Sequence, residues 1–130
     1  MIPRKYCRQL IPTEECNHIE NTLKNSSCQW RDGLQTVNIA NEKFDWTEIK
    51  KVSETFNDEL FRIIMNNLDA DNEFIAMTCP RSTKNSIFSR IGRGGYYKPH
   101  IDDVFTGHYS TTVFLNDPDE YKGGELQLSI

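Results

Sequence analysis

The chain has 130 residues, of which 37% are hydrophobic and 26% charged. That length suits one domain, and the composition supports a packed core and excludes wholesale disorder. Fifteen Lys and Arg against nineteen Asp and Glu leave a net charge of −4, which excludes a protein that works by bulk attraction to phosphates, so nucleic acid is not an expected partner.

Residues 12–24 are predicted helical. Thr13 suits the start, Glu14 and Glu15 fall in the first turn, and Cys16, Ile19 and Leu23 share one face. Residues 25–44 are loop-rich, with a turn at Asp32-Gly33 and a short strand near residues 36–39. The strongest helical pattern runs over 46–66: Asp45 and Glu48 form a capping signature, and Ile49, Val52, Phe56, Leu60, Ile63 and Ile64 recur at helical spacing. Beyond Asn66-Asn67 the pattern turns short and β-rich, which predicts strands at 74–78, 86–91, 110–115 and 125–130. Six of the seven glycines lie between 92 and 124, so turns belong to this second half. Helices first and strands after predict an α+β fold, with 12–66 as mainly helical support and 74–130 as a β-core within one domain spanning 1–130.

Cys7, Cys16, Cys28 and Cys79 contain no C-x-x-C pair, so zinc-ribbon spacing is absent. The N-terminus, Met1-Ile2-Pro3-Arg4-Lys5, has no apolar h-region, and no apolar run approaches the roughly 18–20 residues of a membrane span. The expectation is four reduced thiols and a cytoplasmic location, or the host cytoplasm for a viral protein, with no membrane partner. The oligomeric state is not legible.

The chemistry concentrates in Phe88-Ser89-Arg90-Ile91-Gly92-Arg93-Gly94-Gly95-Tyr96-Tyr97-Lys98-Pro99-His100-Ile101-Asp102-Asp103. On an extended strand residues i and i+2 share a face, so His100 and Asp102 project an imidazole and a carboxylate side by side. These are two of the three ligand types of the 2-His-1-carboxylate triad, which leaves open positions on Fe(II). The tripeptide alone is a weak signal, and its flanks add to it. Gly92, Gly94 and Gly95 suit a tight turn feeding the strand that carries His100. Tyr97, an odd offset away, needs a bulge near Pro99 to share a pocket with His100. A second segment, residues 110–126, reads strand, acidic turn, Gly-Gly, strand, with Ser110, Thr112 and Phe114 on one face. Taken by itself it is an ordinary hairpin.

Together the two segments resemble the Fe(II)- and 2-oxoglutarate-dependent dioxygenases of the prolyl 4-hydroxylase superfamily, and most of all the PKHD-type hydroxylases. The family signature F-x-R-Y-x-x-G-x-x-Y/F-x-x-H-x-D-N is matched by Phe88-Ser89-Arg90-Ile91, Gly94, Tyr97 and Pro99-His100-Ile101-Asp102-Asp103. Its second part is matched by residues 110–115 and by Asp117-Pro118-Asp119-Glu120-Tyr121-Lys122-Gly123-Gly124-Glu125-Leu126. Trp30-Arg31-Asp32-Gly33 looks like the family's early W-x-D-G.

The resemblance implies a double-stranded β-helix, a jelly-roll-like barrel of which this chain carries the first strands. It implies His100 and Asp102 as metal ligands, Tyr97 as a co-substrate-binding residue, and Thr112 and Phe114 as lining the same pocket. Arg90 and His108 are candidates for the loop or substrate side, and a plain exposed histidine is the simpler reading of His108. His108 is not favoured as the third ligand, because facial coordination draws that ligand from a separate strand. The implied cofactors are Fe(II) and 2-oxoglutarate, with ascorbate as a further candidate. The implied partners are O₂ and a peptide or protein substrate, prolyl by analogy, hydroxylated with release of succinate and CO₂. Asp102 favours hydroxylation over halogenation, since related halogenases lack this carboxylate.

Three departures stand out: Ile91 where the family often has Tyr, Asp103 where it has Asn, and no distal His or following Arg or Lys. The chain is therefore expected to be truncated within the barrel and to turn 2-oxoglutarate over poorly by itself. The alternative is an inactive relative that serves as a binding module or is a fragment.

Overall fold

A computed structural model of the chain describes residues 9–25, 27–33, 49–83, 86–98 and 108–127. The elements are α1 (Thr13–Asn25), β1 (Arg31–Asp32), β2 (Ile49–Thr55), α2 (Asp58–Asp69), α3 (Asn72–Thr78), β3 (Phe88–Tyr97) and a 3₁₀ turn at Pro118–Glu120. The fold is α+β, with a three-stranded antiparallel sheet in the order β1-β2-β3. A jelly-roll barrel is not seen among the described residues.

Two compact units divide the chain. The helical unit comprises Met1–Ser26, Glu59–Ser82 and Tyr109–Ile130, and the sheet unit comprises Ser27–Asp58 and Thr83–His108.

In the helical unit, α1 forms where expected. Ile19 is fully buried, and Cys16 and Leu23 on the same face are half-buried. From α2 the buried side chains are Leu60, Ile64 and Leu68, at the i, i+4, i+8 spacing of one helical stripe. Fully burying a side chain such as Ile19 or Leu60 contributes about 1.5–3 kcal/mol. Asn67 of α2 donates from Nδ2 to Glu15 Oε2 of α1 (2.6 Å) and to Ile63 O (2.9 Å). Asn116 Nδ2 donates to Glu20 Oε1 of α1 (2.9 Å), the oxygen that also accepts from Lys24 Nζ (2.6 Å). These bonds tie α2 and the 109–127 segment to α1.

Several expectations are corrected. The helix expected over 46–66 is a strand over Ile49–Thr55 and a helix only over Asp58–Asp69. Ile49, Val52 and Thr55 are β-branched, and their χ1 restriction favours strand over helix once a neighbour supplies the ladder. The expected strand over 74–78 is the helix α3. Asp71 caps it by accepting from Phe74 N at 2.8 Å, and this local bond decides a short apolar run that periodicity leaves ambiguous. Residues 110–115 and 125–127 form no strand, because no described residue pairs with them, and an extended segment without a ladder is not sheet. The acidic turn expected between them is present at Pro118–Glu120, capped by Asp117, whose Oδ1 accepts from Asp119 N at 3.0 Å. The strand expected near 36–39, the cap at Asp45 and residues 128–130 lie outside the described residues.

Candidate functional site

The strand that leads to the His-x-Asp pair is β3. It pairs with β2 so that Phe88, Ser89, Arg90 and Ile91 lie opposite Thr55, Glu54, Ser53 and Val52. β1 lies on the other side of β2, with Arg31 opposite Glu54 and Asp32 opposite Ser53. Directly opposed residues share a face, so Asp32, Ser53 and Arg90 form one row across the sheet. Trp30, two residues before Asp32, reaches the same face, and the Arg90 guanidinium lies 4.3 Å from its ring centroid. This is a cation–π stack spanning the outer strands. Thr55 Oγ1 donates to Gln29 O at 2.9 Å and holds the approach to β1. A Cβ on Gly33 would sit 3.0 Å from Val52 O and 3.1 Å from Val52 Cγ1, so a side chain there would crowd β2 and a glycine suits the position. The Trp30-x-Asp32-Gly33 motif is thus a sheet-building device. Its role was invisible in sequence, because it depends on pairing with residues more than twenty positions away.

The glycine cluster does not form the tight turn expected before the strand; it lies inside β3 as a bulge. Val52 pairs with Ile91 and Lys50 with Tyr96, so the single residue Lys51 opposes Gly92, Arg93, Gly94 and Gly95. Lys51 has φ 54° and Gly94 has φ 75°. Lys51 Nζ donates to Arg93 O at 3.0 Å. No local pattern announced Lys51, which fell inside an expected helix.

The candidate residues fall as follows. Arg90 lies within β3, a strand and not a loop, exposed and stacked on Trp30. Tyr97 is the last residue of β3, opposite Ile49, and is 39% exposed. His108 is exposed in the sheet unit. Thr112 and Phe114 belong to the helical unit, both exposed, Phe114 by 53%. His100 and Asp102, with Pro99 and Asp103, lie outside the described residues. Among the described residues no group of three or more His, Cys, Asp or Glu side chains is placed to hold a metal ion. A shallow cleft of about 380 Å³ in the helical unit is lined by Gln9, Leu10, Asn67, Ala70 and Asp71 and carries none of the candidate residues. No helix among the described residues is long and apolar enough to cross a membrane.

No family model and no solved structure matches the chain. Curated proteins do match. A PKHD-type hydroxylase of Prochlorococcus marinus (strain NATL2A) is 32% identical over 122 residues, covering 90% of this chain and 55% of the relative. A PKHD-type hydroxylase of Psychrobacter sp. (strain PRwf-1) is 25% identical over 132 residues, covering 92% and 50%. One from Caulobacter sp. (strain K31) is 38% identical over 78 residues, covering 52% and 34%. The chain is similar to proteins named PKHD-type hydroxylase. It spans about half the length of the curated relatives it matches. The similarity to these hydroxylases reaches well beyond the 86–128 stretch that carries the sequence motifs and takes in most of the helical support as well.

Proposed function

We propose that the chain carries part of the active site of an Fe(II)- and 2-oxoglutarate-dependent dioxygenase that hydroxylates a peptidyl, prolyl substrate. One observation carries the reading: His100-x-Asp102 stands in a chain related over about nine-tenths of its length to PKHD-type hydroxylases. The donor set fits the metal. A neutral imidazole nitrogen and a carboxylate oxygen are what Fe(II) takes in a facial triad. Fe(II) and 2-oxoglutarate, when bound, supply the oxidative chemistry, with the co-substrate leaving as succinate and CO₂.

The protein's part is to hold and orient. His100 and Asp102 would ligate the metal. The Tyr97 hydroxyl, at the end of β3, would donate to the co-substrate. Thr112 and Phe114 would supply a hydroxyl and an apolar wall to the same molecule. Asp103 adds a carboxylate beside the ligand pair and makes the neighbourhood more attractive to a cation. Ascorbate belongs in the assay as a candidate reductant. The prolyl substrate follows from resemblance, since a shared fold does not by itself fix a substrate.

Titration of the full chain with Mn(II), a redox-silent stand-in for Fe(II), tests the ligand pair. His100→Ala and Asp102→Ala are each expected to weaken binding at least about tenfold. Binding that both variants leave unchanged, or no binding by the parent chain, would overturn the assignment. Succinate production with prolyl and non-prolyl peptides tests the substrate class.

A further inference from the structure

The bulge in β3 has an internal prop. Four residues of β3 face one residue of β2, an excess of three. An odd excess matters, because a shift by an odd number moves every later side chain to the other face of a regular strand. β2 compensates at the same point. Lys51 adopts the left-handed conformation, at φ 54°, which a side-chain-bearing residue adopts only when its surroundings hold it there. Ile49 and Val52 flank that break at an odd spacing, and both are buried.

The lysine side chain runs along the bulge. A Cβ built on Gly92 would lie 3.5 Å from Lys51 Cβ, and one on Gly94 would lie 3.8 Å from Lys51 Nζ. The ammonium ends on Arg93 O, a carbonyl that the looped-out backbone removes from the ladder. The far side of the bulge is closed by backbone: a Cβ on Gly95 would meet Lys50 O at 2.7 Å and Gly92 O at 2.8 Å. Beyond it, Tyr96 and Tyr97 re-enter the ladder opposite Lys50 and Ile49, and Tyr97 stands three residues before His100.

We infer that Lys51 is a positioning residue that clips the 92–95 bulge and so sets the register in which β3 delivers Tyr97, three residues ahead of His100 in sequence. The inference rests on the metal-site reading above. Lys51 touches neither metal nor substrate in this account; it acts through the path of the strand.

The test compares Lys51→Met, which keeps the stem and removes the ammonium, with Lys51→Arg, which restores a cationic donor. Lys24→Met, in the helical unit, serves as the control for loss of a lysine. Two readouts are taken on the full chain: amide hydrogen exchange at Tyr96 and Tyr97, and Mn(II) affinity. Lys51→Met is expected to speed exchange at both tyrosines and to weaken Mn(II) binding about tenfold, within the range for residues that orient a ligand. Lys51→Arg should recover both, and Lys24→Met should change neither. Should Lys51→Met lose its fold, Lys51→Gly, which suits the positive φ and has no donor side chain, replaces it with the same expected direction. Unchanged exchange overturns the clip. Faster exchange with unchanged Mn(II) affinity overturns the positioning role and leaves a purely structural one. A parent chain that binds no Mn(II) overturns the functional reading instead, and the exchange result alone then decides the clip.

Discussion

Cys79 ends α3 in the left-handed conformation, with φ 42° and ψ 56°, and its backbone N–H donates to Ile75 O at 2.8 Å. Glycine holds that position without a Cβ penalty, so Cys79→Gly should stabilise the chain by about 0.5–1 kcal/mol, read as a higher thermal midpoint. At the other end of the helix, Asp71→Ala should cost about 1 kcal/mol by removing the cap on Phe74 N. Cys16 behaves differently. Burial, aided by the charge of Glu15, pushes its thiol above the ordinary value of 9.0. The folded state therefore holds the proton more tightly than the unfolded chain does. This contribution to stability is full below pH 9.0 and is lost as pH rises through the folded-state value. Cys16→Ser should flatten the fall in unfolding free energy on the alkaline side, and iodoacetamide should modify Cys16 more slowly in the folded than in the denatured chain.

At the scale of elements, the sheet depends on close backbone approach in the bulge. Gly95→Ala would put a Cβ against two carbonyl oxygens at 2.7 and 2.8 Å, and the nearer, Lys50 O, belongs to a residue of the ladder and cannot move without shifting it. The expected cost is about 1–3 kcal/mol, measured by urea denaturation. Trp30→Ala should cost less beyond its lost packing, since an exposed cation–π stack is worth about 0.5–1 kcal/mol. These same elements show what the sequence made legible. α1 and the stripe on α2 were readable because a helix satisfies its backbone within one segment, and Ile19, Leu60 and Ile64 carry the period in plain view. β2 was not, because Ile49, Val52 and Phe56 also fit a helical period, and only pairing with β1 and β3 decides between the two. The bulge was unreadable for the same reason. Three glycines announce irregular backbone, but the lysine that props them lies over forty positions away.

Across the whole molecule, the chemistry was more legible than the architecture. His100-x-Asp102 is a weak signal alone and gains weight only beside the second motif, and the curated relatives named PKHD-type hydroxylase match the resemblance that the two motifs carry together. Which segments pair as strands could not be read, because long-range pairing leaves no local trace. The division between buried and exposed apolar residues offers a way to separate folding from function. Ile19 and Leu60 are at most 1% exposed, whereas Phe114 is 53% exposed. Leu60→Ala should therefore cost about 2–5 kcal/mol, the transfer term plus a cavity. Phe114→Ala removes a larger side chain from the surface and should change stability by no more than about 0.5 kcal/mol. If Phe114 lines the co-substrate pocket, the same substitution should still lower 2-oxoglutarate affinity in the Mn(II)-loaded chain, followed by calorimetry. An unchanged thermal midpoint with weakened 2-oxoglutarate binding identifies Phe114 as a pocket residue. A midpoint that falls as far as in Leu60→Ala would make it a core residue, and unchanged affinity would remove it from the pocket.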